Sequence, residues 1–247
     1  MQPPLIIIQA RLSSTRLPGK VLRPFFGEKT ILEIQIETVK KYLPQHHLVV
    51  ATTVNLADDQ LVRYCENLGV AIFRGSEADV LQRFIGCAEA FDAAHIVRIC
   101  SDNPFLDGNA LRVVANAGHL GIDYFSFKND AGIPAIKTHW GLFAEFVTTD
   151  ALQRAANATT ETFFHEHVTN YIYGNTDLFS VKLQPAPPDI INRNDLRFTI
   201  DTLKDFETCQ AIYAAWDGQS LTSLIDLVDA QTHWLASMKT GIAQFTK

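Results

Sequence analysis

Cysteine is scarce in this chain: four among 247 residues, at Cys65, Cys87, Cys100 and Cys209. None forms a C-x-x-C pair and three lie in apolar patterns, so they read as reduced, mostly buried thiols of a cytosolic protein. No apolar run approaches the roughly 18 residues needed to cross a bilayer. The N-terminus lacks the basic-then-apolar layout of a secretory leader, so a cytoplasmic location with no membrane partner is expected. A long basic run is missing too, and the net charge is −6. That balance argues against nucleic-acid or membrane-surface binding and leaves any phosphate site to local cations. Two common phosphate loops are also absent. Gly19-Lys20 is followed by Val21, which breaks the Walker pattern, and no two glycines stand two apart as G-x-G-x-x-G requires.

What is present is enough apolar residue for a full core: 47% hydrophobic against 19% charged. The length fits a single domain, residues 1–247, with room for an insertion. Short apolar runs at Leu5-Ile8, Leu48-Ala51, Val70-Phe73 and His95-Cys100 read as strands. Between them, Leu32, Ile36, Val39 and Leu43 make one helical stripe, and Leu61, Val62, Cys65 and Leu68 another. Val80, Leu81, Phe84, Ile85 and Ala88 mark a third helix, and Leu111 to Ala117 a fourth. Strands alternating with helices predict an α/β fold, a mainly parallel sheet with helices on both faces. From about residue 125 to 195 the pattern loosens and reads as an inserted α+β segment, with Thr148 to Tyr173 helical in two pieces. Leu196 to Ile200 then reads as another strand, Lys204 to Trp216 as a helix, and the tail from Leu221 to Phe245 as helical.

The stretch that organises the chain is Leu5 to Leu22, LIIIQARLSSTRLPGKVL. After its strand come Arg11, Arg16 and Lys20, with Ser13, Ser14 and Thr15 between them. A flexible turn carrying cations, hydroxyls and free backbone N–H groups can wrap a polyanion, and arginine offers a planar fork for phosphate oxygens. A plain solvated basic loop is the competing reading. In parallel sheets ligands sit beyond the carboxyl ends of the strands. This loop and Ser101-Asp102-Asn103-Pro104 should therefore open on one edge. Asp102 and Asp201 each follow a predicted strand. Two such carboxylates suit Mg²⁺, which takes one or two carboxylates together with phosphate oxygens. They equally suit a turn cap and a helix cap.

The segment QARLSSTRLPGKVL resembles the signature of the cytidylyltransferases that activate acidic sugars, in its Ala10, Arg11, Arg16, Leu17, Pro18 and Lys20. That family includes the acylneuraminate and KDO cytidylyltransferases and, as the branch most similar here, the spore coat polysaccharide biosynthesis F-type proteins. The likeness recurs at Arg74-Gly75-Ser76 with Asp79 to Arg83, at Arg98 to Pro104, and at Leu196 to Thr202. It implies a Rossmann-like, GT-A-like nucleotidyltransferase fold. It also implies that Ala10, Arg11, Ser14, Arg16, Lys20 and Arg83 bind the nucleotide. Asp102 and Asp201 stand at the family's metal positions, with Mg²⁺ the expected cofactor. Arg16, Lys20 and both acids would be catalytic: CTP passes its CMP group to an acidic sugar, and pyrophosphate leaves.

Gly141 to Glu145 is similar to the family's Gly-x-x-x-Glu, and Glu166-His167-Val168-Thr169 to its Glu-His-Val-Thr. Glu145, Glu166, His167 and Thr169 are thus the expected sugar-binding residues. The resemblance also implies that the insertion makes a homodimer contact. Three positions depart from the pattern: Ser101 replaces a usual Gly, Leu203 a frequent Pro, and His165 a usual Arg. Two alternatives stay open: a glycosyltransferase of similar fold that uses a nucleotide sugar, and a non-catalytic subunit of a polysaccharide pathway. The lack of any Asp-x-Asp pair counts against the former.

Overall fold

A computed structural model describes residues 2–245. The chain begins with β1 (Leu5–Gln9), a short hairpin of β2 (Pro24–Phe26) and β3 (Lys29–Thr30), and α1 (Ile31–Tyr42). There follow β4 (Leu48–Thr53), α2 (Asp59–Asn67), β5 (Ala71–Gly75), α3 (Val80–Ala90), β6 (His95–Cys100) and α4 (Gly108–Ala115). Next are β7 (Tyr124–Lys128), β8 (Glu145–Thr148), α5 (Thr149–Ala158), α6 (Thr162–Glu166), α7 (Asn170–Gly174) and β9 (Val181–Pro185). Three helices close the chain: α8 (Leu203–Ala215), α9 (Leu221–Asp229) and α10 (Thr232–Gln244).

Seven strands form one sheet in the order β5-β4-β1-β6-β8-β7-β9. The first four are mutually parallel, β8 runs antiparallel to both β6 and β7, and β9 is parallel to β7. Side chains alternate across a strand, so a run buried on both faces must be apolar throughout. In β1, Ile6 and Ile8 enter the core under α1, α2, α4 and α8, while Leu5 and Ile7 enter the one under α3 and α5. Helix α1 starts with a reciprocal cap between Thr30 and Glu33, which satisfies amides the helix cannot bond itself.

The second half corrects several expectations. Leu196 to Ile200 forms no strand. Its residues are buried, but its amides go to loops, Phe198 N–H to the His139 carbonyl and Ile200 N–H to the Asp102 carbonyl. The apolar pattern reflects a single thread enclosed by other segments rather than a ladder position. The stretch expected as two helical pieces is three, α5 to α7, the last two parted at Val168, whose φ is +40°. The tail is helical as expected, in two pieces, α9 and α10. From residues 125–195 come most of β7, then β8 and β9, which continue the central sheet.

Candidate active site

The carboxyl ends of β1, β4 and β6 lie on one edge, and a cleft of about 520 Å³ opens there. On one side it is lined by Arg11, Ser14, Thr15, Arg16 and Lys20. Arg98, Ser101 and Asp102 form its floor, with Asp201 beside them, and Thr162, Glu166 and His167 the opposite wall. The loop after β1 is fixed from beneath. Leu12 N–H donates to Asp58 Oδ1 at 2.8 Å, and Asp58 Oδ2 accepts from Thr52 Oγ1, Thr53 N–H and Thr53 Oγ1. Gly19, at φ +68°, turns the loop back so that its N–H reaches the Leu12 carbonyl at 3.0 Å. Glycine takes this left-handed conformation without a Cβ clash.

The two acids meet the cradle's cations. Arg16 donates to Asp201 Oδ1 at 2.6 Å. Lys20 Nζ lies 3.6 Å from Asp102 Oδ2 and donates to the Ile200 carbonyl at 2.5 Å, so it bridges both acid-bearing segments. Buried Arg197 donates to Asp201 Oδ2 at 2.9 Å and also to Asp205 and His139. Burial pushes the Asp205 carboxyl up, but Arg197 and the amides of Thr202 and Asp201 bring it below its ordinary value. Among the described residues no group of three or more His, Cys, Asp or Glu stands ready to hold a metal. Two carboxylates beside a loop carrying Arg11, Arg16 and Lys20 nevertheless fit a hard cation that would draw its other oxygens from phosphate and water.

Four predicted residues do not line the cleft. Ala10 is buried under the loop. Arg83 is buried too. Its guanidinium donates to the Ser76 carbonyl at 2.6 Å, and its Nε has no partner among the described residues. Its stem lies against Gly75, where a Cβ would come within 2.8 Å of Arg83 Cγ. Burial, then the charge of Arg11, pulls this guanidinium down to about 10. Glu145 and Thr169 stand behind the wall. Glu145 faces Arg98 across the β6–β8 ladder and pairs with it at 2.5 Å. Tyr124 and Thr169 hydroxyls also donate to Glu145, so its buried charge is matched from three sides.

The departures have local reasons. Ser101 is not among the positive-φ residues, so serine sits in its turn without strain. Leu203 is the first residue of α8, where proline is favoured only for its fixed φ. His165 turns from the cleft: Nδ1 meets Asp79 Oδ2 at 2.7 Å and Nε2 the Thr159 carbonyl at 2.9 Å. Both partners are acceptors, so only the doubly protonated ring satisfies both. The Thr159 carbonyl and then Asp79 raise its pKa, against the opposing effect of burial. His167 differs, its pKa lowered by burial. Sequence reasoning missed Asp58, Arg98 and Arg197 as parts of the site. A buried acid after β4 and two arginines inside apolar runs were the available signals.

Residues 5–239 match the family model described as cytidylyltransferase. The chain belongs to the cytidylyltransferase family. Among curated proteins, the spore coat polysaccharide biosynthesis protein SpsF of Bacillus subtilis is 38% identical over 216 residues, 85% of each chain. A cytidylyltransferase structure from Leptospira borgpetersenii superposes with a TM-score of 0.81 at 28% identity, covering 97% of this chain and 98% of that one. A CMP:2-keto-3-deoxy-manno-octonic acid synthetase complexed with CTP is similar over 87% of this chain and 99% of its own, TM-score 0.64. At 13% identity that last likeness establishes the cytidylyltransferase fold alone.

Proposed function

We propose that this cytidylyltransferase transfers CMP from CTP to a hydroxyl of an acidic sugar, releasing pyrophosphate, in the synthesis of a polysaccharide or glycoconjugate. The observation that carries this is the pairing of Arg16 with Asp201 and of Lys20 with Asp102 across one cleft. Cations that reach both acids can also reach the triphosphate of a nucleotide held between them. Arg11, Ser14 and the loop amides bind its phosphates, while Arg16 and Lys20 offset charge on the β and γ groups. Asp102 and Asp201 would hold Mg²⁺, which would neutralise phosphate charge and favour the leaving group. Glu166 and His167 present acceptors to sugar hydroxyls. Residues 125–195 act as an insertion within a single domain and make a homodimer contact, a reading supported by the exposed Phe163 and Leu178. A cytoplasmic setting goes with the absence of disulfides among the described residues.

Incubation with Mg²⁺, each nucleoside triphosphate and a panel of acidic sugars tests the proposal by pyrophosphate release. Release with CTP and one sugar is expected. Asp102→Asn should lower that rate roughly 100–1,000-fold, the scale seen when one preorganised stabilising group is lost. Undiminished activity in this variant removes Asp102 from the metal site.

A further inference from the structure

Gln35 is the anomaly of α1. It lies three residues after Leu32 and four before Val39, inside the helix's apolar stripe, and is fully buried. A buried primary amide is costly unless its N–H groups are bonded. Gln35 Nε2 donates to the Cys100 carbonyl at 2.8 Å and to the Asn103 carbonyl at 2.9 Å. Those two carbonyls bracket Ser101-Asp102. The opposite amide orientation would set the Gln35 carbonyl oxygen against both acceptors, so the bonding fixes which end faces the turn. Two further backbone bonds hold this turn, the Ser101 N–H to the Gln9 carbonyl at 3.2 Å and the Ile200 N–H to the Asp102 carbonyl at 3.0 Å.

We propose that Gln35 is a positioning residue that sets the Asp102 carboxylate for the divalent cation, an inference that rests on the metal role assigned to Asp102. Both Gln35 bonds reach the turn from the core side. Without them, the turn loses two of its ties to α1. The turn then shifts toward the cleft and carries Asp102 with it. Groups that orient a metal ligand commonly matter 10–100-fold in metal affinity or activity. Core packing alone asks nothing of this amide that an isosteric apolar chain would not supply.

The test compares CTP binding by calorimetry with Mn²⁺ and with chelator, in wild type, Gln35→Met, Gln35→Glu and Asp102→Asn. Gln35→Met keeps the volume and removes both donors. It should lose about 10–100-fold of the Mn²⁺-dependent gain in CTP affinity and leave binding in chelator within about twofold. Gln35→Glu adds a pH readout. A buried carboxyl has a raised pKa, and only its protonated form can donate to a carbonyl. Its Mn²⁺-dependent gain, measured relative to wild type at each pH, should therefore recover in part as pH falls from 8.5 to 6, the carboxyl O–H replacing one of the two amide donors. Should Gln35→Met be too unstable to measure, this series decides the question alone. An undiminished gain in Gln35→Met, or equal losses with and without Mn²⁺, overturns the proposal. A pH-independent Gln35→Glu overturns it too. If Asp102→Asn keeps the full gain, the Asp102 reading fails first and this inference with it. Loss in Asp102→Asn with retention in Gln35→Met sinks only the inference.

Discussion

The two sides of the cleft are held in different ways. The cradle wall rests on parallel strands, and its loop is tied to Asp58, a buried acid that accepts four hydrogen bonds. The opposite wall rests on α6 and α7, helices of five residues each. It is tied to the core through His165 on Asp79, and through Thr169 on Glu145 behind it. A β-branched residue in the left-handed region, Val168, separates the two helices. The wall assigned to phosphate is thus fixed by bonds to backbone and hydroxyl groups. The wall assigned to the sugar depends partly on a titrating imidazole and a strained link.

Glu145→Leu should break the comparison most severely. It leaves Arg98 buried and uncompensated, at a cost of about 3–5 kcal/mol, read by denaturant unfolding. A loss under about 1 kcal/mol means that this pair does not support the wall. Asp58→Ala attacks the cradle side instead. It orphans the Leu12 and Thr53 amides and should cost on the order of 3 kcal/mol, since each buried unsatisfied donor is worth about 1–3. CTP affinity should fall with it while sugar affinity changes less.

The effect of pH is smaller and falls on the other wall. The folded-state pKa of His165 is raised above its ordinary 6.5. Its contribution is therefore fully present below that ordinary value and is lost as pH rises through the folded value. The sugar KM should climb across that window while the CTP KM stays level, after correction for wild-type titration elsewhere. Arginine stays charged throughout, so His165→Arg should flatten the rise; a profile unchanged in that variant clears His165 of any part. Val168→Gly should have the smallest effect on stability. Relief of about 1–3 kcal/mol of backbone strain opposes about 1.5–3 kcal/mol of lost burial. The melting temperature should barely move, and a large drop would mean that the strain is negligible.

The same contrast governs how much the sequence discloses. The cradle is legible because Arg11, Arg16 and Lys20 sit on one short loop after an unmistakable strand. Asp102 is legible for a similar reason, and α1 and α3 follow from the helical recurrence of their apolar residues. The wall assigned to the sugar is obscure because its supports act across the sheet. Nothing near Glu145 in sequence announces that Arg98 stands opposite it on β6. Arg83 looks like a surface arginine one turn into a helix, yet the missing Cβ of Gly75 lets its stem lie inward. Strands β7 and β9 were hidden by the long loops around them. The LRFTI thread imitated a strand because enclosure on every side selects the same residues as a ladder does.

The Arg16–Asp201 contact has a dynamic corollary on the proposed reading. Each member impersonates a component of the substrate complex: the guanidinium stands in for a divalent ion, the carboxylate for a phosphate oxygen. A metal-loaded nucleotide would on that reading swap the dance partners: Arg16 would pair with the triphosphate, and Asp201 would be left to hold the ion. Neither group need face water alone at any moment. A nucleotide without its metal, or a metal without its nucleotide, can complete only half of that exchange.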